Sequence, residues 1–286
     1  MKSKFIFFGI IVVAIMAGFA MTACANNGGS GSGGNGLSGE NLIFSDEFDG
    51  DSLDRAKWDY APNWDRQGGS SWRDDMVSVG GGVLHLKFKR DPSLGKGDDW
   101  IRAGAVRTRK KNPPYDMIFA NSYGYYEARI KFPVVSGTWG AFWLMCKDNS
   151  PSANAGEDGT EIDIVESINS AAGRYNAALH WNGYGTEHQS VSSADNGGSR
   201  PVNIYDGEFH VFALEWTETE YVFYVDNIAF WRVDGGPSFK NCGINRTQNY
   251  IKLTVEAALA GWAGKLPSGF IEDEMLVDYV RVCKKR

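Results

Sequence analysis

Three carboxylates lie within six residues near the middle of this 286-residue chain, in the stretch Glu161-Ile162-Asp163-Ile164-Val165-Glu166. β-Branched residues interleaved with acids predict a strand, and the preceding Gly156-Glu157-Asp158-Gly159 predicts a turn. Glu161 and Asp163 are two residues apart, so they project from the same face of that strand. Strict alternation would turn Glu166 into the apolar layer, and a single β-bulge returns it to the acidic face. We therefore predict a bulged strand with three acids on its open side.

A row of acids of this kind suits the hydrolysis of glycosidic bonds. Retaining glycosidases use one ionised carboxylate as nucleophile and one protonated carboxyl as proton donor, about 5 to 5.5 Å apart. Like charges held close together push their pKa values apart, so one group stays ionised while another keeps its proton. The alternatives are a solvated strand face and a calcium site, because acids two residues apart also attract a hard cation.

The N-terminus predicts export rather than a folded element. Lys2 and Lys4 precede an apolar run from Phe5 to Ala23, and Cys24 follows that run directly. The arrangement resembles a bacterial lipoprotein signal, in which residues 1–23 are removed and the thiol of Cys24 is lipidated. A plain secretory signal and a single membrane anchor are the alternatives.

The net charge and the cysteine content narrow the functional classes. The formal net charge is −6 and the only basic cluster is Arg107-Thr108-Arg109-Lys110-Lys111, so we expect no nucleic-acid partner. No cysteine spacing resembles a metal site. We expect Cys146, Cys242 and Cys283 to be small buried hydrophobes, with a Cys242–Cys283 or a Cys146–Cys242 bridge left open.

The remainder of the chain divides into a tether and one β domain. Residues 24–40 are rich in Gly, Ser and Asn and predict a flexible tether, followed by a single domain over 41–286. We find no amphipathic helix longer than two turns in this domain, whereas short alternating or apolar runs recur throughout. Predicted strands cover 77–79, 83–88, 123–132, 140–145, 175–181, 209–216, 220–226, 228–233, 250–257 and 274–282. This pattern predicts an all-β fold, a two-sheet antiparallel sandwich, and bending of its sheets would create a concave polar face.

Two of the predicted strands fit such a concave face. Trp139, Ala141 and Trp143 share one side of their strand. Ala141 leaves space between the two large rings, as a sugar cleft requires, and packing of both rings in the core is the alternative. His180 faces away from Leu179 and is a further candidate for the polar side. The alternative is that this histidine has an ordinary structural role.

The chain resembles glycoside hydrolase family 16 over nearly the whole domain. The resemblance is carried, in order, by FSDEFD at 44–49, YGYYEARIK at 123–131, WGAFW at 139–143, the acidic strand, FHVFALEW at 209–216 and VDYVRV at 277–282. The family fold is a curved, concanavalin A-like β-jelly roll with a substrate cleft across the concave sheet. This agrees with the sandwich that the strand pattern predicts.

The resemblance implies roles for the three acids. Glu161 matches the family nucleophile, Asp163 the assisting acid and Glu166 the general acid/base. The two residues between Asp163 and Glu166 match the bulged form of the motif, which occurs in laminarinase-like members and in related agarases and endo-galactosidases. The implied mechanism is double displacement with retention, and it needs no cofactor.

Further contacts follow from the candidate cleft and the resemblance. The expected substrate-binding residues are Asn63, Arg107, Trp139, Trp143, His180, Trp181 and Trp262. Family members often carry a structural calcium ion on the convex side. Glu47, a backbone carbonyl near Gly82 and Asp278 stand where its ligands are expected, with ordinary surface acids as the alternative.

Departures from the family pattern fall at substrate-contacting positions. The common Trp-Pro-Ala is Trp139-Gly140-Ala141 here, and Ser71-Trp72-Arg73-Asp74-Asp75 stands where laminarinases often have Glu-x-Gln. The frequent cleft arginine is replaced by Ala105, with Arg107 two residues later. These departures concern the choice of glycan. We expect an endo-acting hydrolase of β-1,3- or mixed-linkage β-1,3-1,4-glucan, with galactan-type or mucin-type glycans as the alternative.

Two other functional classes are the alternatives to an enzyme. A non-catalytic carbohydrate-binding lipoprotein has no reason to keep Glu161 and Glu166 with Asp163 between them. A calcium-dependent adhesion protein would use the acidic strand as its ion site. We expect a monomer whose partners are a polysaccharide or oligosaccharide and, through the lipid alone, a bacterial membrane at the outer membrane, the cell surface or the periplasmic face.

Overall fold

The computed structural model describes residues 41–66, 68–96, 99–168, 173–257 and 263–284. In chain order, the strands are β1 (Leu42–Asp46), β2 (Asp59–Tyr60), β3 (Asp65–Arg66), β4 (Ser70–Trp72), β5 (Val77–Gly80), β6 (Val83–Arg90), β7 (Ile101–Ala103), β8 (Ala105–Arg107), β9 (Gly124–Lys131), β10 (Thr138–Cys146), β11 (Thr160–Ile168), β12 (Tyr175–Trp181), β13 (Gln189–Ser192), β14 (His210–Trp216), β15 (Tyr221–Val225), β16 (Ile228–Val233), β17 (Asn249–Ala257) and β18 (Glu272–Cys283). The helices described among these residues are short 3-10 turns, such as Asp74–Met76.

The strands form two sheets. One has eleven strands. Nine of them follow the order β16-β15-β14-β9-β18-β6-β7-β4-β3, and the other two are β1, which pairs with β18, and β5, which pairs with β6. The other has seven strands in the order β13-β12-β11-β10-β17-β8-β2. The β4–β7 pair is parallel, and the other strand pairs described are antiparallel. The predicted all-β, two-sheet sandwich is confirmed.

The core lies between the two sheets. In the seven-stranded sheet, alternation sends Phe142 and Leu144 of β10 and Ile162 of β11 inward, and all three are fully buried. Phe212 and Phe223 of the larger sheet belong to the same buried cluster. Burying each such side chain contributes about 1.5–3 kcal/mol. The outward residues of β10 and β11 are thereby fixed on the opposite face.

The longer predicted strands are confirmed with bounds that differ by a few residues. The hairpin of β5 and β6 turns at Gly81 and Gly82, which both have positive φ. Strands β1 to β4, β7, β8 and β13 were missed. Most of them have two to four residues and take their conformation from neighbouring strands, so they are too short to show a periodic pattern.

Cys146 and Cys242 behave as the predicted small buried hydrophobes, whereas Cys283 is disulfide-bonded. Cys146 and Cys242 are free thiols, and both are buried, as is Cys283. The Cys146–Cys242 and Cys242–Cys283 bridges that the sequence left open are therefore absent.

The predicted signal, the lipidated Cys24 and the tether fall on residues 1–40, outside the described residues. Within the residues that are described, no helix has both the length and the apolar character needed to cross a membrane.

Candidate active site

The bulge predicted in the acidic strand is present in β11. Asp163 pairs with Trp143 of β10, and Val165 pairs with Phe142, the neighbour of Trp143 in that strand. Ile164 therefore has no partner in β10 and is the additional residue of the bulge. The register between β11 and β12 shifts over the same interval. Ile164 and Val165 are both fully buried. The bulge thus directs two successive apolar residues toward the core, and Glu166 emerges on the same face as Asp163.

The three acids line a cleft on the outer face of the seven-stranded sheet. The cleft encloses about 720 Å³, within the range typical of ligand sites. Its lining includes Trp64, Arg66, Arg107, Arg109, Trp139, Ala141, Trp143, Met145, Glu161, Asp163, Glu166, Asn176, His180, Tyr184, His188, Tyr250, Lys252, Thr254 and Glu256. Aromatic rings and charged groups together form a site suited to a sugar chain, because sugars offer both apolar faces and hydroxyl groups.

Glu166 is held between two hydrogen-bond donors. Trp139 Nε1 donates to Oε1 over 3.0 Å, and Asn176 Nδ2 donates to Oε2 over 3.4 Å. The pKa of Glu166 is raised to about 7: burial is the largest cause and the negative charge of Glu161 adds to it, whereas the hydrogen bond from Trp139 opposes the rise. Glu166 therefore keeps its proton over much of the range below neutral pH, as a proton donor must.

Glu161 is stabilised as an anion from two sides. Tyr184 donates its hydroxyl proton to Oε2 of Glu161. Burial raises the pKa of Glu161, while the Tyr184 hydrogen bond and the positive charge of Lys252 lower it. Both glutamates accept hydrogen bonds, but Glu161 is the one whose pKa is also lowered by a neighbouring positive charge, as suits a nucleophile.

Asp163 lies between the two glutamates and is buried. Burial, followed by the charges of Glu161 and Glu166, raises its pKa well above the ordinary value. Nε2 of His180 is 3.4 Å from its Oδ2, and Nδ1 of His180 is 3.0 Å from Nε2 of His188. Burial lowers the pKa of His180 to about 4, so this imidazole is neutral near pH 7. A protonated Asp163 can act as a hydrogen-bond donor within the site.

Lys252 places a buried cation in the floor of the cleft. It pairs with Trp143 on one side and with Arg107 on the other, and its Nζ is 3.5 Å from the centroid of the Trp143 ring. Burial lowers its pKa to about 7, whereas the charge of Glu161 raises it. Next to it, Arg66 Nε donates to Oε1 of Glu256 over 2.8 Å. The cleft therefore has an acidic part on β11 and a cationic, aromatic part on β17 and β8.

Four of the expected substrate-binding residues line this cleft. They are Arg107, Trp139, Trp143 and His180. The guanidinium of Arg107 donates to the carbonyl oxygens of Arg109 and Lys110, which fixes its orientation at the cleft edge. The indole of Trp143 donates to Oγ1 of Thr254 over 3.1 Å.

The remaining expected contacts lie elsewhere. Trp181 was wrong as a substrate-binding residue: it follows His180 in β12, points to the opposite face and is buried in the core. Asn63 is exposed outside the cleft lining, and its Oδ1 accepts a hydrogen bond from Lys111 Nζ over 3.0 Å. Trp262 lies outside the described residues.

The expected calcium ligands are engaged by arginines. Both carboxylate oxygens of Glu47 accept hydrogen bonds from Arg281, at 3.0 and 2.7 Å, and Asp278 pairs with Arg129 at 2.7 Å. Gly82 lies in the β5–β6 turn. Because both carboxylates are neutralised by guanidinium groups, this donor set does not fit a hard dication, and calcium at this place stays a prediction without support from the geometry.

Several functional residues were missed by sequence reasoning. Lys252 and Glu256 alternate with apolar residues in the predicted strand 250–257, so the two-residue period could have placed them on the cleft face. Tyr184 and His188 belong to the β12–β13 connection, where no period operates. Their position depends on how that loop folds over β11.

A β-sandwich whose cleft brings together a glutamate proton donor, a glutamate nucleophile and aromatic rings is typical of a glycoside hydrolase. A family model described as the GH16 domain of β-porphyranases A–D matches residues 40–284. The chain therefore belongs to glycoside hydrolase family 16, and its two sheets form the jelly roll of that family.

Relatives within the family differ in their substrates. A β-glucanase of Rhodothermus marinus is 28% identical over 260 residues, which cover 84% of this chain and 84% of that protein. A keratan-sulfate endo-1,4-β-galactosidase of Sphingobacterium multivorum is 29% identical over 260 residues, which cover 85% of this chain and 55% of that protein. The endo-β-1,3-glucanase of Pyrococcus furiosus superposes with a TM-score of 0.66 at 23% identity, over 85% of this chain and 94% of that one, and shares the fold.

Proposed function

We propose that this protein is an endo-acting, retaining glycoside hydrolase that cleaves β-1,3- or mixed-linkage β-1,3-1,4-glucan. The observation that carries the proposal is the contrast between the two glutamates of one cleft face. Glu166 keeps a proton because burial raises its pKa to about 7. Glu161 receives a hydrogen bond from Tyr184 and faces the cation of Lys252, which both favour its ionised form.

The reaction proceeds in two displacements. Glu161 attacks the anomeric carbon while Glu166 transfers its proton to the departing glycosidic oxygen, which gives a covalent glycosyl-enzyme. Glu166, now ionised, removes a proton from water, and that water releases the sugar from Glu161. Asp163, whose pKa is raised well above its ordinary value, adds no second charge between the two glutamates when it is protonated. The product keeps the anomeric configuration of the substrate.

The choice of glucan rests on the relatives. The Rhodothermus β-glucanase covers most of this chain, and several similar solved structures are glucanases or laminarinases. A β-galactan is the second candidate, since the family model describes β-porphyranases and a further relative acts on keratan sulfate. Both candidates need the same two glutamates.

Product analysis on a panel of polysaccharides tests the proposal. Laminarin, lichenan, agarose and mucin-type glycans are incubated with the protein, and the released oligosaccharides are identified. We expect oligosaccharides of several lengths from laminarin or lichenan, and proton NMR of the first products should show the β-anomer. An initial α-anomer would exclude retention, and release from agarose or mucin glycans alone would favour the second candidate.

A matched pair of variants connects that activity to the cleft. Glu161→Ala is expected to lower the rate by at least about 10³-fold, because the nucleophile is lost. Glu187→Ala, on an exposed loop near the cleft, should leave it unchanged. Undiminished release by Glu161→Ala would show that the acidic strand is not the catalytic centre.

We further propose that the protein is a monomer exported and anchored to a bacterial membrane through lipid on Cys24. The support is the apolar run that ends at this cysteine and the Gly/Ser-rich tether behind it. Metabolic labelling with a fatty acid should mark the wild-type chain and not Cys24→Ser. A labelled Cys24→Ser chain would contradict the anchor.

A further inference from the structure

Tyr184 lies in the connection between β12 and β13, yet it reaches the catalytic row. Its side chain is largely exposed, with a relative accessibility of 61%, and its hydroxyl group donates to Oε2 of Glu161. Asn182 and Gly183, just before it, both have positive φ, at 62° and 69°. This left-handed pair reverses the chain after β12 and brings the tyrosine back over β11.

The ring of Tyr184 lies at the end of a row of two imidazoles. It lies 5.7 Å from the ring of His188, which stacks on His180 at 5.2 Å with an angle of 2° between the planes. His180 in turn contacts Asp163 at 3.4 Å. The tyrosine and the assisting acid, which both lie beside Glu161, are thus connected through a continuous stack.

We propose that Tyr184 is a positioning residue for the nucleophile, which holds Glu161 in its attacking orientation and stabilises its ionised form. A hydroxyl that donates to one carboxylate oxygen fixes the carboxylate plane and leaves the other oxygen, Oε1, for attack. A misplacement of about 1 Å at a reacting atom can lower a rate about 10²-fold. This inference rests on the proposed glycosidase function.

The other titratable groups around Glu161 all remain in place when only the Tyr184 hydroxyl is removed. They are Asp163 and Glu166 of β11, His180 of β12, Cys146 of β10, Lys252 and Glu256 of β17, and Arg66 of β3. Because a hydrogen bond to an ionised carboxylate favours that form, loss of the Tyr184 hydroxyl alone should make Glu161 harder to ionise. The exposed position of the ring makes a large change in folding stability unexpected.

Tyr184→Phe removes only the hydroxyl and is the test. We expect kcat to fall about 10- to 100-fold with KM within about twofold, since the lost contact is to Glu161 and not to the substrate. The acidic limb of the kcat/KM profile should move to higher pH. Inactivation by a 2-deoxy-2-fluoro glycosyl fluoride should slow by a similar factor, because it reports the first displacement. Tyr115→Phe, an exposed tyrosine outside the cleft lining, is the matched control and should change none of these.

The possible outcomes separate this role from others. An unchanged kcat and acidic limb in Tyr184→Phe would overturn the proposal. A rise in KM with kcat unchanged would also overturn it, because the hydroxyl would then bind substrate. If the wild type cleaves no glycan of the panel, the proposed function fails, and carbon-13 NMR titration of labelled glutamate still decides the hydrogen bond. A carboxyl pKa that rises in Tyr184→Phe supports positioning, and an unchanged pKa excludes it.

Discussion

The indole nitrogen of Trp139 and the carboxylate of Glu166 lie on adjacent strands, joined by a hydrogen bond of 3.0 Å. Glu166 pairs with Ala141, two residues along β10 from Trp139. The small side chain of Ala141 therefore leaves room for the indole to reach diagonally across to the acid. This contact opposes the effect of burial on the pKa of Glu166.

Trp139→Phe should move the alkaline limb of activity to higher pH. The indole donates to the ionised form of Glu166, so its loss disfavours ionisation and raises the pKa above its present value of about 7. A hydrogen bond to a charged group contributes about 1.5–3 kcal/mol, so we expect a shift of roughly one to two pH units. The measurement is kcat/KM against pH.

Trp143→Phe is the matched control for this shift. Its indole also lines the cleft but donates to Thr254 instead of to an acid. The Trp143→Phe substitution should weaken substrate binding and leave the alkaline limb of the kcat/KM profile in place. An equal shift in both variants would mean that the general environment of the cleft, and not the hydrogen bond of Trp139, sets the pKa.

Glu166→Gln should increase stability at alkaline pH while it reduces activity. Below about pH 4.5 Glu166 is protonated in both the folded and the unfolded states. As the pH rises from 4.5 to about 7, the unfolded chain releases this proton and the folded chain retains it, so the free energy of unfolding falls. This fall in the free energy of unfolding is complete above pH 7 and amounts to about 3 kcal/mol.

Glutamine carries no charge and keeps an acceptor for Trp139, so it avoids this penalty. Urea denaturation should therefore show Glu166→Gln to be more stable than the wild type at pH 8 and equally stable at pH 4. Glu187→Gln, on the exposed loop, provides the comparison for the loss of a surface charge. A variant that is less stable than the wild type at pH 8 would contradict the burial penalty.

The bulge in β11 allows a test by changes of chain length. Deletion of Ile164 makes the strand regular, so Glu161, Asp163 and Glu166 still alternate onto the cleft face. Deletion of both Ile164 and Val165 places Glu166 directly after Asp163, so alternation sends Glu166 inward. We expect the single-deletion variant to fold with a loss of about 2–5 kcal/mol from the missing isoleucine and to keep part of its activity.

The double-deletion variant should lose activity altogether and unfold more easily. Circular dichroism and the release of reducing ends measure both effects. An active double-deletion variant would show that alternation along β11 does not decide which face of the strand Glu166 occupies.

The central strands and the catalytic row follow from local periodicity. In β11, the acids and isoleucines differ so strongly in their preference for water that only one face assignment is compatible with burial. The same rule would have excluded Trp181 as a cleft residue, because its neighbour His180 already faces the cleft. That error came from giving aromatic character more importance than alternation.

Residues outside regular strands could not be placed in this way. Tyr184 depends on the left-handed turn at Asn182 and Gly183, and Arg66 depends on the two-residue strand β3. Their partners, Glu161 and Glu256, are distant in sequence, so only the folded chain brings them together. Likewise, arginine partners for Glu47 and Asp278 arise from the register of neighbouring strands and not from any local motif.

Lys252→Met should move the acidic limb of activity to higher pH and increase stability below neutral pH. Nζ of Lys252 contacts the faces of Trp143 and Trp72, and no carboxylate oxygen of the described residues lies within 4.0 Å of it. Its charge lowers the pKa of Glu161, so methionine in its place raises that pKa. Fewer molecules then carry an ionised nucleophile at low pH.

The stability change has the opposite pH dependence to that of Glu166→Gln. The pKa of Lys252 falls from 10.5 to about 7 on folding, so the penalty of burying the ammonium is complete below pH 7 and is relieved as the pH rises toward 10.5. Lys252→Met should therefore exceed the wild type in stability at pH 6, and the difference should shrink at pH 10. Lys147→Met, which removes an exposed charge from the same cleft, should produce neither effect. A destabilised Lys252→Met at pH 6 would show instead that the ammonium is a net stabilising partner of the acidic row.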